Sequence, residues 1–372
     1  MKLPIPKEEH FTAPAHDERV TSKIGLALAV TFTTCFVTGL ISHLIQHPPE
    51  WFFWPSRPVG LYRVTQGLHV ISGVASIPLL LAKLWSVYPK LFGRPLVRSL
   101  PHALERLSIL VLSGAAFFEL TTGLLNVAQN YPWGFYFPQV HYAVAWLAIG
   151  SILVHVAVKL PVIRRALSRG KPEEEPPAAG LSRRGFLRTT GLATGVAVVA
   201  TAGATVPFLR GISGLAWKTS KGTQDLPVNR TAAAAGITWS TSWRLSVVTP
   251  RGTTKFSLDE LRALPQTTAE LPIACVEGWS QSATWRGISL PTLLKAVGVS
   301  PGTAVRVSSS ERSGLYGVSV LPGEHTADEL TLLALELNGE VLDLDHGFPC
   351  RIIAPNRPGV LQTKWVTKLE AL

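Results

Sequence analysis

Five long apolar segments in the first part of this 372-residue chain constrain its fold more than any other feature. Each can cross the hydrocarbon core of a bilayer, which needs about 20 mostly apolar residues. The segments are approximately 24–44, 64–87, 104–127, 140–163 and 189–209. Apolar residues make up 47% of the chain and charged residues only 16%, as expected for a protein that is partly embedded in a membrane. The sequence therefore predicts a multi-pass membrane region, with the lipid bilayer as its first partner.

Beyond Trp217 the sequence changes to the alternation of strands, turns and short helices that is typical of a soluble domain. Four strands are predicted, at 243–248, 305–309, 351–354 and 364–369, with short helices at 257–264 and 291–297. The chain should thus divide into an all-α transmembrane four-helix bundle (1–165), a linker with a fifth transmembrane helix (166–215) and a mixed α and β domain (216–372).

Basic residues are unevenly distributed among the loops between the apolar segments. The loop after the second segment and the loop after the fourth are rich in Lys and Arg, whereas the loop after the first has only Arg57 and Arg63 and residues 129–139 have none. Because basic loops stay in the cytoplasm, the N-terminus is expected inside and the C-terminal domain outside the cytoplasm of a cell membrane. This topology accounts for the net charge of +11, and no nucleic-acid partner is predicted.

The segment Ser182–Arg188 resembles a twin-arginine export signal in an internal position. The run that follows it is rich in Ala, Gly and Thr and only mildly apolar. The alternative is the ordinary basic flank of a fifth helix. Export by the twin-arginine route would carry a domain that had already folded around its cofactor.

Three histidines in the apolar segments are candidate ligands, because ionisable residues are costly inside a membrane. His69 lies in the second segment, and His141 and His155 lie fourteen residues apart in the fourth. That spacing is nearly four helical turns, so both should project from the same face about 21 Å apart. Imidazole is a common haem ligand, and hydrogen bonding between helices is the alternative.

This pattern resembles the di-haem cytochrome b subunits of membrane-bound oxidoreductases over roughly residues 10–165. The resemblance implies an outer haem b held by His69 and His141, and an inner haem b held by His155. The inner haem lacks an obvious second ligand, for which His16 and His102 are substitutes, so one or two haems are expected. His43 and His47 are expected at the membrane interface, with His43 an alternative outer ligand.

Cys275 is one of three cysteines, with Cys35 and Cys350, and no CxxC pair exists. Taken alone, it could be a small buried hydrophobe or form a disulfide with Cys350. However, residues 271–280, LPIACVEGWS, resemble the sulfite oxidase family of molybdopterin enzymes. The resemblance implies an α+β molybdopterin-binding domain in which the Cys275 thiolate is a catalytic ligand of molybdenum.

Three further blocks, 335–340, 345–351 and 364–366, are similar to the pterin-binding stretch of that family. The resemblance implies contacts to the pterin and its phosphate from one set of residues, with a catalytic Tyr316 beside the metal. The implied cofactor-binding residues are Asn229, Arg230, Ser309, His346, Arg351, Thr363 and Lys364.

The residues after Cys275 distinguish two branches of this family. Sulfite oxidases have a basic stretch there, whereas Glu277 and Trp279 make this chain look more like the periplasmic methionine-sulfoxide reductase catalytic subunits. A carboxylate would repel the sulfite dianion. The expected activity is reduction of an oxidised, sulfoxide-type substrate, free or protein-bound, with electrons exchanged through haem with a quinone or another redox partner. A sulfite-type oxidase and a non-catalytic electron-transfer protein are the alternatives.

Overall fold

The computed structural model describes residues 11–93, 95, 98–168, 181–216, 222–311 and 316–372. Residue contacts divide the chain into two compact units. The helical unit comprises Met1–Leu40, Leu68–Gly203 and Phe208–Trp217, and the sheet unit comprises Ile41–Gly67, Ala204–Pro207 and Lys218–Leu372. Much of the predicted linker, 169–180, lies outside the described residues.

Long helices dominate the first half of the chain. Their bounds are α1 Glu18–Gln46, α2 Leu61–Val87, α3 Leu100–Val127, α4 Phe137–Ser168 and α5 Arg183–Thr201. Within the described residues, five helical segments are long and apolar enough to cross a membrane. Large apolar side chains such as Leu110 (68%) and Leu153 (64%) are exposed on them, as expected of surfaces that face lipid.

The end of α5 differs from the expectation of an apolar helix that continues to Leu209. The helix ends at Thr201, and only short 3-10 turns follow, at Ala202–Ala204 and Pro207–Leu209. Pro207 has no backbone N–H to continue a helix and disfavours a helical conformation of the residue before it. The polar side chain of Ser182 begins α5 by accepting a hydrogen bond from the backbone N–H of Gly185, at 3.1 Å.

Two β-sheets form the sheet unit, which has the mixed α and β content that the sequence predicts. The first has the strand order β2-β1-β10-β5-β6, and the second has the order β3-β4-β7-β8 with β9 also paired to β7. Only β1 and β10 pair in parallel among the described ladders. The bounds are β1 Leu245–Thr249, β2 Gly252–Phe256, β3 Thr267–Ala274, β4 Ser280–Ser289, β5 Val305–Ser309, β6 Val318–Leu321, β7 Leu332–Leu337, β8 Glu340–Val341, β9 Arg351–Ile353 and β10 Val366–Ala371.

Short helices close the gaps between strands, at α6 Ala232–Ala235, α7 Leu258–Ala263, α8 Leu290–Ala296 and α9 Gly323–Thr326. The predicted strands and helices are all present with small shifts of their ends. Ser257 and Glu260 form the capping box that the sequence predicts for α7.

One apolar core joins both sheets. It contains Val247 and Leu369 from the first sheet, Ile288 and Leu333 from the second, and Leu293 from α8, each at most 1% exposed. Each such side chain contributes about 1.5–3 kcal/mol by leaving water. A second apolar cluster contains Leu271 and Ile273 of β3 and Trp285 of β4, and it holds the end of β3, where the candidate site lies.

Residues 41–67, which comprise the end of α1, the connection and the start of α2, belong to the sheet unit. Ile45 and Tyr62 pack with Ala274 at the end of β3 in a small apolar cluster. Division of the sequence into consecutive domains does not anticipate this grouping.

Candidate active site

Cys275 lies in the turn that joins β3 to β4, which we call the thiolate turn (Cys275–Trp279). The turn closes through hydrogen bonds from the Cys275 N–H to the Trp279 carbonyl (2.8 Å) and from the Gly278 N–H to the Cys275 carbonyl (3.0 Å). Gly278 has a φ of 92°, which favours glycine at this position. The β3–β4 ladder therefore fixes the thiol at the end of two buried strands.

The Cys275 thiol is free, 1% exposed, and 3.6 Å from Oε2 of Glu277. The same carboxylate oxygen accepts a hydrogen bond from the Trp279 indole N–H, at 3.2 Å. Burial, followed by the nearby Glu277 carboxylate, raises the pKa of Cys275 well above its usual value. The thiol keeps its proton in this environment until a metal cation displaces it.

A pocket beside Cys275 brings together five of the residues that the sequence predicts to bind cofactor or metal. They are Asn229, Cys275, His346, Arg351 and Lys364. Apolar residues complete the lining, together with Trp279 and Gly359. The polar residues come from four separated parts of the sequence, so the fold alone places them together.

Arg351 begins β9 and is 4% exposed. Its guanidinium donates to the carbonyls of His346 and Gln362, both at 3.1 Å, and lies 5.1 Å from the ring centre of Trp285. Its Nε has no hydrogen-bond partner, and no described carboxylate pairs with it. Burial lowers the pKa of Arg351 to about 9, which still leaves it positive at neutral pH. A buried cation without a counter-ion suits an anionic group such as a phosphate.

Lys364, which is half-buried, adds a second basic side chain to the pocket. Its Nζ donates to the carbonyls of Arg230 (2.6 Å) and Asp345 (3.0 Å). Burial, with a smaller contribution from Arg351, lowers the pKa of Lys364 to about 7. Ser309 does not line the pocket; its hydroxyl donates to the Lys364 carbonyl at 2.8 Å and so fixes the backbone of the lysine.

His346 ends a short 3-10 turn and is 2% exposed. Its Nε2 lies 2.6 Å from the Thr223 carbonyl, and because a carbonyl only accepts, this nitrogen carries the proton. Burial lowers the pKa of His346, which favours the neutral ring. Gly347 has a φ of 110°, and a side chain there would lie 3.1 Å from Arg351 and Lys364. The missing side chain lets these two cations approach the same turn.

Three other predicted residues lie outside the pocket lining. The Arg230 side chain pairs with Glu311 at 2.9 Å, and Thr363 shares a 2.7 Å hydrogen bond with Ser319. Tyr316 is half-buried in the turn before β6, and residues 312–315 before it lie outside the described residues. These residues support or flank the pocket in this structure.

In the helical unit, the rings of His69 on α2 and His141 on α4 are 6.4 Å apart between centroids. Nδ1 of His69 donates to the Cys35 carbonyl at 2.8 Å, which leaves Nε2 able to bind a metal. His141 has Glu119 Oε2 3.1 Å from Nε2 and the Thr122 hydroxyl 3.2 Å from Nδ1. Helices α1 and α2 approach each other closely here, since a Cβ atom at Gly39 of α1 would lie 2.9 Å from the ring of His69 on α2.

The remaining histidines are separate from this pair. His155 lies half-buried on α4, His16 contacts the Ser86 carbonyl at 3.2 Å, and His102 accepts from the Arg98 N–H near the start of α3. In the sheet unit the rings of His43 and His47 contact each other, with centroids 4.9 Å apart. Ring contacts and hydrogen bonds therefore single out His69 and His141 as the predicted ligands that lie together.

Sequence reasoning missed several residues that the structure brings to the two sites. Glu119 is a carboxylate well inside an apolar segment, which is itself a signal of function. Trp285 and Gln362 surround the Arg351 guanidinium, and Gln66 reaches the thiolate turn. No spacing in the sequence indicates these contacts.

Comparison with known proteins agrees with this geometry. A family described as the oxidoreductase molybdopterin binding domain matches residues 232–372. Sulfite oxidase of Arabidopsis thaliana is 28% identical, with 32% of this chain and 38% of that protein covered. Mitochondrial sulfite oxidase of Drosophila melanogaster is 31% identical (30% and 24% covered). The catalytic subunit MsrP of protein-methionine-sulfoxide reductase from Burkholderia mallei is 29% identical (37% and 46% covered).

The chain thus spans less than half the length of each of these three relatives. The matched residues include Cys275, Arg351 and Lys364. The buried thiol, the neutral imidazole, the buried Arg351 and the half-buried Lys364 of one pocket fit the metal, pterin and phosphate of such a cofactor. Residues 232–372 therefore match the oxidoreductase molybdopterin binding domain family and are similar to parts of the sulfite oxidases and of a methionine-sulfoxide reductase catalytic subunit.

Proposed function

We propose that this protein is a membrane-anchored molybdenum oxidoreductase that reduces an oxidised, sulfoxide-type substrate by oxygen-atom transfer. The observation that carries the proposal is the single pocket that contains Cys275 beside Arg351, Lys364 and His346. When bound, a molybdenum–molybdopterin cofactor supplies the two-electron oxygen-atom chemistry. The protein holds it: Cys275 by a thiolate bond to molybdenum, and Arg351 and Lys364 by charge at the phosphate.

The substrate preference rests on Glu277. Its carboxylate oxygen is 3.6 Å from the Cys275 sulfur and is held by the indole of Trp279. A fixed negative charge here disfavours a dianion such as sulfite and tolerates a neutral sulfoxide. The sulfoxide can be part of a small molecule or of a protein side chain.

The membrane part of the proposal rests on the five long apolar helices and on the basic loops between them. It places the N-terminus in the cytoplasm and the molybdenum domain outside it. The twin-arginine resemblance of Ser182–Arg188 supports export of that domain after it has folded.

Haem is the proposed electron carrier of the helical unit. His69 and His141 are its proposed outer ligands, since their ring centroids lie 6.4 Å apart and Nε2 of His69 is available. Iron binding through Nε2 of His141 would replace the contact with Glu119. His155 is the proposed ligand of an inner haem, and a quinone or another redox partner exchanges electrons with the haems.

A sulfite-type oxidase is the second candidate, favoured by the identity with sulfite oxidases from two organisms. The experiment that separates the two follows haem absorbance in the purified full chain. Reduced haem should be reoxidised by a sulfoxide, whereas oxidised haem should not be reduced by sulfite. The opposite response would establish the oxidase, and a preparation without molybdenum by elemental analysis would overturn both candidates.

A further inference from the structure

Three side chains from distant parts of the sequence donate hydrogen bonds to the thiolate turn and to the strand after it. The Gln66 amide donates to the Val276 carbonyl at 3.3 Å, and the Thr205 hydroxyl donates to the Gly278 carbonyl. Arg63 donates to the hydroxyls of Ser280 and Ser282, both at 2.8 Å. All of these residues belong to the sheet unit.

These contacts complete a turn that has few hydrogen bonds of its own. Its two internal backbone bonds use the carbonyls of Cys275 and Trp279. Gln66 and Thr205 donate to the carbonyls of Val276 and Gly278. Because each hydrogen bond to the loop backbone favours the conformation in which it forms, the two donors stabilise one conformation of the loop that carries the cysteine.

Gln66 is itself oriented by its neighbours. Its Oε1 accepts from the Tyr62 hydroxyl at 3.5 Å, so its amide nitrogen points to Val276. The Tyr62 hydroxyl also contacts the Ser42 hydroxyl, at 3.0 Å, and Tyr62 is 1% exposed. The donor is therefore preorganised rather than free to rotate.

Asn356 fixes the start of the segment that carries Arg63 and Gln66. Its side chain accepts from the Tyr62 N–H at 2.5 Å and donates to the Pro55 carbonyl at 2.6 Å, and its carbonyl accepts from the Trp54 indole at 2.8 Å. Arg57 adds a two-point ion pair with Asp328, at 2.8 and 2.9 Å. Residues 54–66 are thus bound to the sheets at several points independent of the thiolate turn.

We propose that Gln66 and Thr205 are positioning residues that fix the thiolate turn, and with it the sulfur of Cys275, relative to the cations of the pocket. Arg63 extends the same support to the first residues of β4. This inference rests on the proposed role of Cys275 as the molybdenum ligand. Groups that orient a metal ligand tune the metal it holds, so residues at the start of α2 and just after α5 serve the catalytic site directly.

Amide hydrogen exchange on the full chain in detergent, prepared without cofactor, tests the positioning role. Gln66→Met and Thr205→Val keep side-chain size but remove the donors, so exchange across residues 276–280 should rise about fivefold to tenfold. Matched controls are Gln266→Met, which removes amide bonds to the carbonyls of Leu261 and Leu264, and Thr303→Val, which removes a hydroxyl bond to Ser300. Both controls should leave residues 276–280 unchanged.

If residues 276–280 exchanged at the same rate in both variants as in wild type, the positioning role would be overturned. Exchange in β1 and β10 is the internal reference: unchanged exchange there shows that the variant has changed only locally and has kept its fold. In molybdenum-loaded protein, Gln66→Met should retain the metal but alter its electron paramagnetic resonance spectrum. An unchanged spectrum despite faster exchange would overturn the step from turn to metal. Wild-type protein without molybdenum would instead contradict the proposed function, while the exchange result would stand.

Discussion

The pocket at Cys275 and the histidine pair of the helical unit differ in how their polar groups are satisfied. In the pocket, Arg351 is buried and Lys364 is half-buried, neither forms an ion pair with a described carboxylate, and Nε of Arg351 has no hydrogen bond. In the helical unit, both nitrogens of His141 already have partners, Glu119 and Thr122. The pocket carries a charge that an anionic ligand would neutralise, whereas a metal at the histidine pair must compete with existing contacts.

This difference predicts which of the two sites depends more on a bound ligand for its stability. A buried cation destabilises a domain until its counter-ion arrives, so the pocket should gain stability when an anion binds. Both nitrogens of His141 have protein partners, so the histidine pair should tolerate the absence of a metal better. The following experiments separate the two sites by changing one at a time.

The largest effect is expected from Cys275→Ser. Because a hydroxyl is a poor substitute for a soft thiolate at molybdenum, turnover should fall by more than about 100-fold. The haem absorbance spectrum should remain that of wild type. Substrate-dependent haem reoxidation and the optical spectrum, recorded on one preparation, measure both.

The matched control is Cys350→Ala, which removes a second buried thiol of the same domain that lies in the apolar core. It should retain turnover. Full activity of Cys275→Ser would exclude the thiolate role.

The converse change is made at the histidine pair. His69→Ala and His141→Ala should each abolish binding of the outer haem, since each removes an axial ligand. Molybdenum content should be unaffected, which haem quantification and elemental analysis on the same sample will establish. His47→Ala, at the proposed interface, is the control. If both variants kept all their haem, the ligand assignment would be wrong.

Some elements and site residues could be predicted from the sequence, and others could not. Alternating and capped segments were enough to predict β5, α7 and β10, because they depend on local patterns. Cys275 could be assigned only through the family resemblance, as a single cysteine has no diagnostic spacing. The contacts of Gln66 and Asn356 depend on pairing between residues 200 or more positions apart, which no local pattern encodes.

A smaller effect is expected from Arg351→Met, which removes the buried charge but keeps much of the side-chain volume. Loss of a charge-assisted bond of about 1.5–3 kcal/mol should weaken cofactor retention roughly 10- to 100-fold. The amount of pterin released per protein after gel filtration measures this. Arg306→Met is the control, because Arg306 is exposed on β5 and pairs with Glu370 at 3.2 Å. Equal pterin content in Arg351→Met and wild type would contradict a phosphate-binding role.

The smallest expected effect concerns pH and Lys364, whose pKa is lowered to about 7 in the folded protein. Between that pH and the usual lysine pKa of about 10.4, the unfolded chain holds a proton that the folded chain has lost. Stability of the cofactor-free protein should therefore rise with pH across this window. Lys364→Met should lack this rise, and a bound phosphate should suppress it in wild type by raising the pKa of the lysine. Thermal unfolding followed by tryptophan fluorescence from pH 7 to 10 tests all three. If the stability of Lys364→Met rose with pH by the same amount, the rise would come from other titrating groups, and the proposed role of Lys364 in anion binding would be wrong.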